Sequence, residues 1–128
     1  MNIQRTIIPL LFLALSAPLV ADEHVITTSS HRLTEVANGV YLAQTTAPLF
    51  NSNSLVIVNE DDVVVVDSHI TPDKARELIE SIQFITSKPI TTLINSHFHY
   101  DHAHGNQVFG EDVQIIGHEY TRIKMAGT

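Results

Sequence analysis

The sequence predicts an α/β protein organised around a strand–helix–strand crossover. Two β-branched runs, Leu55-Val56-Ile57-Val58 and Val63–Val66, have strand length and strand composition. A segment with apolar residues at Ala75, Leu78, Ile79 and Ile82 follows at helical spacing. A third apolar run, Ile90–Asn95, comes directly after it. Strand, helix and strand in that order make the two flanking strands parallel neighbours with their C-terminal ends on one edge, where ligands of such sheets gather.

Taken in order, the chain opens with a segment of its own character. Arg5 supplies one positive charge, residues 7–15 are apolar apart from Pro9, and Ser16-Ala17-Pro18-Leu19-Val20-Ala21 gives small residues before Asp22-Glu23. This reads as a signal peptide over 1–21, cleaved after Ala21. It is short and interrupted for a bilayer span, which needs about 20 apolar residues; an uncleaved anchor is the alternative. For a bacterial source the mature protein would be periplasmic or secreted, with no stable membrane span after cleavage. Residues 22–34 are polar and lack an apolar period, so a leader or edge segment with little core contribution is expected, with His24 and His31 on the surface.

Asn38-Gly39 marks a hairpin turn, because both residues tolerate positive φ, and strands are expected on either side of it. The loop after Gln44 has an apolar centre, Leu49 and Phe50, which either lies over a substrate as a lid or folds back into the core. Asn59-Glu60-Asp61-Asp62 turns the chain between the two β-branched runs, whose continuity suggests burial on both faces. Asp67 ends the second run. A carboxylate there is too costly to leave unpaired, so it should bond to backbone donors or to a metal-binding histidine. His69 is expected on a surface loop. Thr71 caps the helix, Pro72 occupies its first turn and Asp73 complements its dipole. Residues 103–109 suit a short helix and 113–116 another strand, while 120–125 read as a helix without a cap.

At the end of the third run stands His97-Phe98-His99-Tyr100-Asp101-His102. Three imidazoles and a carboxylate so close together are a metal site in outline, since zinc takes neutral imidazole nitrogens and carboxylate oxygens in a near-tetrahedral shell. His104 and His118 are better read as solvated.

The string Ser96-His97-x-His99-x-Asp101-His102, entered from an apolar strand and followed by Gly105-Asn106, resembles the signature of metallo-β-lactamase-fold hydrolases. The Gly39-Val40-Tyr41 start, the Asn-Ser-Asn lead into Leu55 and the Val63–Val66 run ending in Asp67 are similar too. The resemblance implies an αββα metallo-β-lactamase-like sandwich, with residues 35–128 as its N-terminal half only. It implies that His97 and His99 bind one zinc ion and Asp101 and His102 a second. It also implies that Asp101 acts catalytically by orienting a metal-activated hydroxide, and that Leu49 and Phe50 overhang the substrate. The family's further ligands come from segments downstream of the motif, which makes a fragment the expected reading and the isolated chain incomplete as a catalyst. His69 departs from the small residue or glycine usual at its position.

The reaction implied is hydrolysis of an amide, ester or thioester in a small-molecule substrate. A β-lactamase proper is one alternative, and a non-catalytic zinc-binding secreted domain is another. The 128 residues and 44% apolar content suit one modest core. A net charge of −7, with no Lys/Arg cluster, argues against nucleic acid as a partner. The lack of cysteine excludes disulfides, cysteine zinc ligands and a thiol nucleophile. Nothing in the sequence fixes the oligomeric state.

Overall fold

The computed structural model describes residues 24–46 and 52–127. The signal-peptide expectation and the lid residues Leu49 and Phe50 lie outside the described residues. Seven strands form one mixed sheet in simple sequential order: β1 (Val25–Thr27), β2 (His31–Ala37), β3 (Val40–Thr45), β4 (Asn53–Val58), β5 (Val63–Val66), β6 (Ile90–Asn95) and β7 (Gln114–Gly117). The first five run antiparallel, and β5, β6 and β7 are parallel. The crossover read from the sequence is present, with α1 (Pro72–Ile82) joining β5 to β6. The architecture is α/β, as expected.

Local chemistry accounts for the elements. Gly39 takes φ +71° in the β2–β3 turn, and a Cβ there would stand 2.9 Å from the carbonyl oxygen of Val58. Thr71 caps α1 by accepting from the Lys74 amide, with Pro72 in the first turn. Ala75, Leu78 and Ile82 form the buried stripe of the helix. They pack on Leu33, Ala43, Val56, Val63, Val65 and Leu93 from five neighbouring strands.

Four expectations need correction. Strands β4 and β5 alternate in burial instead of being covered on both faces: Val56, Val63 and Val65 are enclosed under α1, while Leu55, Val64 and Val66 face the other side and are only partly covered among the described residues. Continuous valine marks β propensity here more than two-sided burial. Residues 22–34 are not a leader without core contribution, because β1 pairs with β2 and both His31 and Leu33 are fully buried. Residues 103–109 divide between α2 (Tyr100–Ala103) and a 3-10 turn (Asn106–Val108). Finally, α3 (Glu119–Ala126) does carry caps: the His118 imidazole accepts from the Tyr120 amide, and Gly127 closes the other end at φ +72°.

Candidate metal centre

Strand β6 delivers the motif at the C-terminal edge of the parallel strands, and α2 turns Asp101 and His102 back over the end of β5. Asp67 is the hub. It is 7% exposed, and its Oδ1 accepts from the Ser96 amide at 2.8 Å. Its Oδ2 accepts from the Ser96 hydroxyl at 2.7 Å and lies 2.8 Å from His102 Nδ1. The carboxylate therefore has both the backbone donor and the histidine partner that its cost of burial demands. The histidine that Asp67 touches is His102, and Ser96 stands between the aspartate and His97.

Proton counting sets the tautomers. Ser96 has one hydroxyl hydrogen, which goes to Asp67, so its oxygen accepts from His97 Nδ1–H across 3.0 Å. His102 likewise gives Nδ1–H to Asp67. With these protons on Nδ1, each neutral ring has its lone pair on Nε2, the form that a metal ion requires. One buried carboxylate thus orients His102 directly and His97 through a single hydroxyl.

The free atoms fall into two pairs. His97 Nε2 is 3.1 Å from His99 Nδ1, and His102 Nε2 is 3.2 Å from Asp101 Oδ2. Two ligand atoms on one tetrahedral zinc, each about 2.0–2.1 Å from it, stand about 3.3–3.4 Å apart. Each pair therefore matches one edge of a zinc tetrahedron, and the rings of His97 and His102 lie 4.1 Å apart between centroids. Among the described residues no group of three or more histidine and acidic side chains is arranged to hold an ion by itself. The donor chemistry fits zinc in pairs, and each pair leaves positions of a four-coordinate shell for other ligands.

Several residues missed by sequence reasoning fix the backbone beneath these side chains. Ser52 donates to the Asp101 carbonyl at 3.0 Å. The Ser68 amide donates to the His102 carbonyl at 2.7 Å, and the Ser68 hydroxyl reaches Asn106 Oδ1 at 2.7 Å. Asn95 and Asn106 exchange amide hydrogen bonds at 3.1 and 2.7 Å, tying the 3-10 turn to the end of β6. The signal available was a run of small polar residues at strand ends, where unpaired polar groups need partners.

The remaining histidines divide. His104 is exposed and uses Nδ1 on the Ile70 carbonyl, and His118 is exposed and caps α3. Neither joins the two pairs. His31 and His69, both expected on the surface, are instead fully buried and face each other at 3.2 Å between Nε2 atoms. Desolvation lowers their pKa values, to about 4 for His31 and about 3 for His69, so both rings are neutral at neutral pH.

Comparison with known proteins bears on the fold and the family. A metallo-beta-lactamase from Erythrobacter litoralis superposes with a TM-score of 0.71 at 21% identity, over 81% of this chain and 48% of its own. A linear primary-alkylsulfatase from Pseudomonas sp. is 29% identical over 55 residues, which is 43% of this chain and 10% of that protein. The alpha subunit of a 2,4-dinitroanisole O-demethylase from Nocardioides sp. is 34% identical over 70 residues, 53% of this chain and 21% of that protein. The chain thus spans about half of the solved relative and a tenth to a fifth of the curated ones. The sequence profile of the metallo-beta-lactamase superfamily, whose members are mostly metal-binding hydrolytic enzymes, matches residues 47–128, and the chain belongs to that superfamily.

Proposed function

We propose that the intact protein is a zinc-dependent hydrolase of a small-molecule substrate, with His97 and His99 serving one ion and Asp101 and His102 a second. The observation that carries this reading is the Asp67 carboxylate, which engages the Nδ1 side of His102 directly and of His97 through Ser96, so that Nε2 of each faces its partner ligand His99 or Asp101. Bound zinc would supply hydroxide near neutral pH and polarise the bond under attack.

The chain's own residues do the rest. Asp67 and Ser96 hold two imidazoles in the metal-binding tautomer before any ion arrives, so little ordering is left to binding. Ser52 and Ser68 fix the carbonyls of Asp101 and His102, and so the direction of those two side chains. The Asp101 carboxylate is 44% exposed and can take a proton from an attacking water and return it to a leaving group.

Of the amide, ester and thioester bonds that this chemistry cleaves, cleavage at an ester-type oxygen is favoured. The names of the curated relatives, an alkylsulfatase and an O-demethylase, support it. Sulfate esters and aryl ethers therefore join carboxylic esters as test substrates. The intact, zinc-loaded protein should hydrolyse at least one of them, and Asp101→Asn should lower kcat by about a hundredfold or more. A kcat unchanged in Asp101→Asn, or hydrolysis that survives complete chelation, contradicts the proposal. Export through residues 1–21 to the periplasm or beyond belongs to the same reading. N-terminal sequencing should find a mature protein that begins at Asp22, and a retained Met1 would oppose it.

A further inference from the structure

The turn Asp67-Ser68-His69 leaves β5 through two left-handed residues, Asp67 at φ 66° and His69 at φ 68°. Glycine is the ordinary solution for such backbone, since a side chain there is strained. Position 69 carries a histidine instead, and that histidine is fully buried. Its Nε2 lies 3.2 Å from His31 Nε2 and 3.2 Å from Ser54 Oγ, while its Nδ1 has no partner. A strained, enclosed and half-satisfied polar side chain calls for an explanation.

The protons can be assigned here as well. Ser54 gives its one hydroxyl hydrogen to the Asp67 carbonyl at 2.7 Å, so its oxygen can only accept from His69 Nε2–H. That N–H also faces His31 Nε2, which must accept. His31 Nδ1–H then turns to Ser30 Oγ at 3.0 Å and Ser81 Oγ at 3.3 Å. From the core outward, a chain of bonds runs from β2 through His69 and Ser54 to the Asp67 carbonyl.

The outer side of the same turn grips the metal motif. Ser68 donates to the His102 carbonyl, and Gly105 donates its amide to the His69 carbonyl at 3.2 Å. The packing there is close, because a Cβ on Gly105 would stand 2.0 Å from the Ser68 carbonyl oxygen.

We infer that His69 is a positioning residue: acting through Ser54 and the turn, it sets the Asp67 carboxylate so that His102 presents Nε2 beside Asp101. The inference rests on the zinc reading above.

Long-range proton–nitrogen NMR of the imidazoles in the intact, metal-free protein at neutral pH, followed by zinc titration, tests it. The expected tautomers are Nε2–H for His69 and Nδ1–H for His31 and His102. His69→Gly should relieve the backbone yet move His102 away from the pure Nδ1–H form and weaken zinc binding at the Asp101–His102 pair by ten- to a hundredfold. Ser54→Ala removes only an oxygen atom, keeps the core filled, and should shift His102 in the same direction by less. A lowered melting temperature with the His102 tautomer and zinc affinity unchanged in both variants would make His69 a core residue only and overturn the inference. So would an Nδ1–H tautomer at His69 in the unaltered protein. If the unaltered protein binds no zinc, the proposed function falls, while the His102 tautomer still decides the role of His69.

Discussion

A single carboxylate does the most at the residue scale. Asp67 accepts three hydrogen bonds, from the Ser96 amide, the Ser96 hydroxyl and His102. Replacing it with asparagine keeps the shape but exchanges one acceptor oxygen for a donor and removes the charge. Of its two sites, one must then turn an N–H toward groups that are themselves donors. Asp67→Asn should weaken zinc binding by about ten- to a hundredfold, with a smaller effect on the fold, and calorimetric titration checks it. An unchanged affinity would show that the imidazoles find the metal-binding tautomer without help. Asp67 was legible in the sequence because a charge at the end of a buried strand needs partners. Ser52, Ser68 and Asn106 were not, because a hydroxyl or an amide is inexpensive to solvate and its role shows only once its neighbour is known.

At the scale of elements, the buried pair of histidines ties β2 to the end of β5 and to α1. Both pKa values lie below the unfolded value of about 6.5, through desolvation first. Glu77 opposes this for His31, with Lys74 adding to it. For His69, the His31, Lys74 and His102 charges add to it and Asp67 opposes it. The sign follows from linkage: the unfolded chain takes up protons below pH 6.5 while the folded rings stay neutral, so stability is full above 6.5 and falls as pH drops towards 4. The metal-free protein should lose about 5 °C or more of melting temperature between pH 7 and pH 5. A melting temperature constant over that window contradicts the buried, neutral pair. The hairpin, the crossover helix and the motif strand were legible because Asn38-Gly39, Thr71-Pro72 and the valine runs each encode a local conformation. The burial of His31 and His69 was not, because it depends on two segments 38 residues apart meeting across the core, and each histidine alone reads as a surface residue.

The whole molecule makes the site a property of the sheet edge. Strands β5 and β6 run parallel, so Asp67 and the 97–102 motif leave the sheet at the same end, and α2 folds the second ligand pair onto the first. That placement requires nothing from the opposite end of the sheet, where a cleft of about 610 Å³ lies between α1 and the starts of β6 and β7. The central claim is that His97, His99, Asp101 and His102 are zinc ligands. Titration of the intact protein with zinc, beside His99→Ala and His102→Ala, tests it most directly. Saturable binding should appear in the unaltered protein and weaken by at least tenfold in each variant. Absence of binding, or equal affinity in all three proteins, would contradict the account.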